Sequence, residues 1–137
     1  MIRFTVSGAS CWTQWETPGR RRRVKSRTRS SPAINRAGRV ADGWFANPRV
    51  PPGPESEKHF EFFRGGAREA GRDPDKLGID ATVLAGDRGS QAWAAEAEQW
   101  QAMGATHLTF RTMAAGMTSN DQHIEAIRKF REVWPAK

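Results

Sequence analysis

Arg111 and Thr112 are the residues best placed by pattern to meet an anionic ligand. Along Thr106 to Arg111, alternation sets Leu108 and Phe110 on one face and His107, Thr109 and Arg111 on the other. If that strand belongs to a closed barrel, its polar face lines the interior and Arg111 stands near the mouth, where anionic groups bind. The plain alternative is an arginine facing solvent. Ser30 and Ser31 form a second candidate. They precede Pro32, a favoured first helical residue, so a helix start with free N–H groups and two hydroxyls is expected there. Such a start suits a phosphate, and an ordinary N-cap accounts for the same serines.

The remaining polar residues point away from catalysis. His59, His107 and His123 lack metal-ligand spacing and have no cysteine partner, so no metal site is expected. His123 falls in the first turn of the last helix and is expected at the surface. Thr118, Ser119 and Asp121 beside it read as helix-start residues, not as a triad. No nucleophile–base pair emerges, and no catalytic residue is assigned. The Phe60/Phe63 and Trp93/Trp100 pairs recur at helical spacing and are expected to cover a sheet.

These residues sit on alternating elements. Ala33, Ala37, Val40 and Ala41 share one face of a helix that Gly43 ends, and Trp44-Phe45 begins a short extended piece before a Pro-rich loop. Phe60, Phe63, Ala67 and Ala70 predict a helix from Glu55 to Ala70, stopped by Gly71. Gly65-Gly66 inside it is a local weakness, about 1 kcal/mol per glycine relative to alanine. Leu77 to Ala85 reads as a strand through Ile79, Ala81, Val83 and Leu84. A helix capped by Ser90 and stopped by Gly104 follows. The strand of Thr106 to Arg111 comes next, then a last helix opened by Asp121 and apolar at Ile124, Ile127, Phe130 and Trp134. Helix–strand alternation of this kind implies a parallel sheet. The expected fold is therefore α/β: part of a TIM-like (β/α) barrel, with two parallel strands, about four helices and a disordered basic N-terminal arm. A full barrel takes about 250 residues, against 137 here.

Charge divides the chain. Overall it carries +7, with 22 Lys/Arg and 15 Asp/Glu. Residues 1–36 hold nine of the bases and a single acid, Glu16, which leaves 13 bases against 14 acids in the rest. Residues 1–29 therefore read as a basic arm and 30–137 as a near-neutral domain. In the arm, Ile2 to Val6 alternates weakly, and Gly19 to Arg29 is a self-repelling Arg/Lys run. Cys11 is the sole cysteine, which precludes an internal disulfide. The segment before it is too short and too charged for a signal peptide. No stretch approaches the roughly 20 apolar residues of a membrane span. A cytoplasmic location is expected.

Three stretches resemble the bacterial luciferase-like monooxygenase family: SSPAINRAGRVADGWF (Ser30 to Phe45), AREAGRDPDKLGI (Ala67 to Ile79) and GATHLTF (Gly104 to Phe110). The likeness is greatest to its deazaflavin-dependent branch, and it runs in order from about Ser30 onward, the final third of a typical member. The resemblance implies a TIM-like barrel that binds coenzyme F420 or FMN at the carboxyl end of its strands and transfers hydride or activates oxygen on a small organic substrate. It implies cofactor contacts at Ser30 and Ser31, whose turn would hold the phosphate, with Arg111 and Thr112 at the mouth. In the family an apolar strand ending in Gly-Gly precedes that turn; here Val24-Lys25-Ser26-Arg27-Thr28-Arg29 stands in its place.

The leading expectation is the C-terminal part of such an oxidoreductase, inactive alone. Exposed sheet edges would make it self-associate. A second reading is a basic protein whose Arg20 to Arg29 run binds nucleic acid, with Trp12 and Trp15 stacking on bases; no recognised binding module accompanies the run. A third is a non-functional gene fragment whose first ~29 residues are out-of-frame translation or a fusion, given the break in composition there.

Overall fold

The computed structural model describes residues 3–6 and 31–134. Strand β1 (Arg3–Val6) is followed by helix α1 (Ser31–Val40), strand β2 (Gly43–Phe45), helix α2 (Pro54–Glu69), a single 3-10 turn (Pro74–Lys76) and strand β3 (Gly78–Leu84). Helix α3 (Ser90–Ala102), strand β4 (His107–Arg111) and helix α4 (Asn120–Val133) complete the order. The two strands expected from sequence are β3 and β4. Two short strands flank them, giving one all-parallel sheet in the order β1-β4-β3-β2. Ser30 and residues 7–29, with Trp12, Trp15 and the Arg-rich run, lie outside the described residues.

Local chemistry explains the helix ends. Pro54 opens α2 with Glu55 and Glu57 in its first turn, where negative charge meets the exposed N–H groups. Gly71 (φ 68°) closes it: Arg72 N–H reaches Ala67 O at 2.9 Å and Gly71 N–H reaches Arg68 O at 3.0 Å, the paired bonds of a Schellman turn. Gly104 (φ 90°) ends α3 in the same way, through Ala105 N–H to Trp100 O and Gly104 N–H to Gln101 O. Helix α4 starts with a capping box between Ser119 and Gln122, so Ser119 and not Asp121 caps it. At α3 the cap is Gly89, without a side-chain bond, and Ser90 is already helical.

The sheet has two unlike faces. Trp44, Ile79, Ala81, Val83, Leu108 and Phe110 point to the side on which all four helices pack, and each is at most 2% exposed. Across this core Phe60 stacks on Trp100 and Phe110 on Phe130, with ring centroids 5.9 and 4.2 Å apart, while Trp93 leans on Phe110. The Phe60/Phe63 and Trp93/Trp100 pairs are thus core, as their spacing predicts. Leu84 departs from the expected strand face: it is turned to the opposite side and is 37% exposed. Helices on one face, with β2, β3 and β4 adjacent in chain order, mark a singly wound sheet. An open doubly wound sheet carries helices on both faces.

Three amphipathic assignments shift. Helix α1 buries Ile34, Ala37 and Gly38, and Val40 is exposed, because the helix is oriented by a close crossing with α2. At that crossing a Cβ on Gly38 would overlap the carbonyl oxygen of Phe63, and a Cβ on Gly66 would overlap that of Asn35. Gly66 is therefore no weakness; it is what lets the two backbones touch. Gly65, one residue away, faces open space. Ala70, expected inside the second helix, is the exposed residue that caps α2, and in α4 Ile124 is exposed, since Ala126 and Phe130 carry the contact with the core.

Candidate functional site

The face of the sheet opposite the helices presents Asp80 and Thr82 from β3 and His107, Thr109 and Arg111 from β4. Register pairs Asp80 with His107, Thr82 with Thr109, and Leu84 with Arg111. The face is thus polar at the start of the strands and cationic at their carboxyl ends, where Arg111 is half-buried. This is the alternation expected for Thr106 to Arg111.

Asp80 was not legible as a site residue when its strand was read for apolar positions alone, although alternation away from Ile79 and Ala81 puts it on the polar face. Its carboxylate is buried, and both oxygens accept from the single Thr109 hydroxyl, at 3.0 and 3.1 Å. Burial pushes its pKa up from 3.8 to about 6, and the Thr109 hydrogen bond offsets only part of that. Asp80 lies at the amino-terminal half of β3, away from the mouth. Beneath it Thr106 ties the strands together: Ile79 N–H donates to its hydroxyl at 2.8 Å, and the hydroxyl lies 2.8 Å from His107 Nδ1.

At the mouth, Thr112 is buried and its hydroxyl lies 2.9 Å from His123 Nδ1. His123 is half-buried and belongs to this contact, which corrects its expected surface position: the β4–α4 loop folds the start of α4 back onto the end of β4. That loop carries Ala114 at φ 60° and Gly116 at φ 77°. Met113 is 61% exposed beside them. Ser31, the other described candidate, is the first residue of α1, which packs on α2 and β2. Ser31 and Arg111 therefore belong to different flanks of the sheet, with β3 between β2 and β4. Among the described residues no group of three or more His, Cys, Asp and Glu side chains could share a metal ion. An open groove of about 520 Å³ lies on the helix side, between α3, the β4–α4 loop and α4, lined by Trp93, Met117 and Ala126 and rimmed by Asp121, Glu125 and Lys129.

Two of the stretches behind the family resemblance carry packing contacts. In RAGRVADGWF, Gly38 makes the helix crossing, Trp44 is buried, and Gly78 N–H bonds Asp42 O at 2.9 Å. In REAGRDP, Arg72 reaches back to the end of α1, donating to Gly38 O (2.8 Å), Ala41 O (2.6 Å) and Asp42 Oδ1 (2.9 Å). One guanidinium thus satisfies two terminal carbonyls of one helix from the end of the next.

A parallel sheet with its helices on one face is part of a β/α fold. The family model for luciferase-like monooxygenases matches residues 12–134, and the chain belongs to that family. The matched segment begins upstream of Ser30, where the motif likeness starts. No curated protein matches the chain. No helix among the described residues is long and apolar enough to cross a membrane.

Proposed function

We propose that this chain is the C-terminal part of a flavin- or deazaflavin-dependent oxidoreductase, acting in its complete form on a small organic substrate, and that alone it neither holds the coenzyme nor turns over. The family supports oxidoreductase chemistry in general. The observation that carries the limit is the geometry of the polar face. A coenzyme needs a walled mouth, and the described residues supply one side of it: Arg111 with Thr112 and His123 at the end of β4, and the start of α1 on the other flank.

Thr112 is already engaged with His123, which leaves Arg111 as the charged group on this face suited to a phosphate. The described residues therefore do not fit a whole flavin or deazaflavin, and no chemical step is assigned to them. When bound, such a coenzyme supplies the hydride or oxygen chemistry itself, and protein groups orient it.

Titration of the full chain with oxidised coenzyme F420, and separately with FMN, tests this reading. Tryptophan fluorescence should fall only linearly, without saturation, up to about 100 µM, since a Kd tighter than that needs more than about 5 kcal/mol of binding free energy. Saturable quenching at micromolar coenzyme, or turnover by the purified chain, would overturn it.

A further inference from the structure

We infer that the carboxyl ends of β3 and β4 bind a small organic carboxylate: Arg111 takes the carboxylate group, and Leu84 with Met113 takes its alkyl or aryl body. The polar face changes character row by row. Register sets Asp80 beside His107, Thr82 beside Thr109, and Leu84 beside Arg111. The last row thus joins an aliphatic side chain, 37% exposed, to a guanidinium.

Two independent observations mark this row. Among the described residues three arginines are half-buried: Arg64, Arg72 and Arg111. Arg64 donates to Gly104 O, and Arg72 to the end of α1 and to Asp42. The Arg111 guanidinium has no hydrogen-bond or ion-pair partner among the described residues. Its fork of N–H donors is left for a ligand or for water. The second observation is apolar. Five large hydrophobic side chains are exposed among the described residues, and Val40 and Phe62 belong to α1 and α2. Leu84 ends β3, Met113 follows the end of β4, and Ile124 is near the start of α4, which Thr112 and His123 tie to that end. Single exposed hydrophobics are ordinary; three at one end of a fold, around an unpaired cation, mark a binding surface.

The combination selects the ligand. A planar carboxylate meets a guanidinium through two parallel hydrogen bonds. Inorganic phosphate leaves Leu84 and Met113 uncovered, and a neutral alcohol leaves the guanidinium without a counter-charge. A monoanion with an apolar body uses both halves. Calling this carboxylate the substrate rests on the oxidoreductase reading; its binding does not.

Amide NMR shifts of the full labelled chain test the site, with hexanoate, hexan-1-ol and inorganic phosphate each added to about 20 mM at fixed pH and ionic strength. Hexanoate should give saturable shifts at Leu84, Arg111 and Met113, with a Kd on the order of a few mM for so small a ligand. Hexan-1-ol and phosphate should shift the same amides at least about threefold less. Arg111→Gln should weaken hexanoate binding about tenfold, and Leu84→Ser about threefold. Unmoved Thr82 and Thr109 amides in both variants report an intact sheet. Absent or non-saturating hexanoate shifts overturn the proposal, as do equal shifts from phosphate or hexan-1-ol, or variants that bind like wild type. Glu16 is the one acidic side chain in residues 1–36. Glu16→Gln should leave hexanoate affinity unchanged, and a rise would assign Arg111 to that carboxylate and overturn the ligand site. No coenzyme enters these measurements, so saturable coenzyme binding would refute the function reading and leave this result standing.

Discussion

Asp80 and Arg72 show how single side chains act here. The folded state raises the Asp80 pKa to about 6 by burial. Between pH 3.8 and about 6 the folded chain therefore binds more protons than the unfolded one, and stability falls as pH rises through that window. Asp80→Asn should abolish that component and stabilise the protein at pH 8 by up to about 3 kcal/mol, the equivalent of roughly two pKa units. Urea unfolding of both proteins at pH 4.5 and pH 8 checks it; an Asn variant less stable than wild type at pH 8 would show that Asp80 is matched by a cation. Arg72→Met should cost about 1–3 kcal/mol, since it strips the hydrogen bonds from Gly38 O and Ala41 O. Thermal unfolding reads that loss, and Arg72→Lys should recover little of it, because one ammonium cannot reproduce the guanidinium fork.

At the scale of elements, the α1–α2 crossing separates two adjacent glycines. Gly65→Ala adds a methyl in open space and should stabilise α2 by about 0.5–1 kcal/mol. Gly66→Ala drives a methyl into Asn35 O and should destabilise by about 1–3 kcal/mol. Opposite signs from neighbouring positions, measured by chemical denaturation, are the signature of backbone contact; equal signs would refute it. The same pair explains what sequence could and could not reveal. Helices α2, α3 and α4 were readable because Phe60, Trp93 and Phe130 repeat at helical spacing and glycines mark two of the ends. Strands β3 and β4 were readable as short apolar runs. Gly66 was not, since its requirement comes from Asn35, 31 positions away on another helix. Val40 and Ile124 were misplaced for a related reason: helix orientation is set by the partner's backbone, not by the helix's own periodicity. The Thr112–His123 contact depends on a loop conformation that includes a non-glycine at positive φ, for which spacing gives no signal.

The described residues form one parallel sheet with an apolar face under the helices and a polar face opposite. Its class was legible from helix–strand alternation and from three motif stretches, two of which carry packing between α1, α2 and the sheet. Its edges were legible in part: Ile2 to Val6 alternates weakly and Trp44-Phe45 reads as a short extended piece, but strands of four and three residues carry too little pattern to reveal their place in the sheet. The claim beneath the function reading is the strand order β1-β4-β3-β2 among the described residues. Cross-strand NMR contacts measured within a single labelled chain test it most directly. The account predicts backbone contacts from Thr5 to Thr109 and from Thr109 to Thr82, with none between β1 and β2 of the same chain. Intrachain contacts joining β1 to β2 would contradict it.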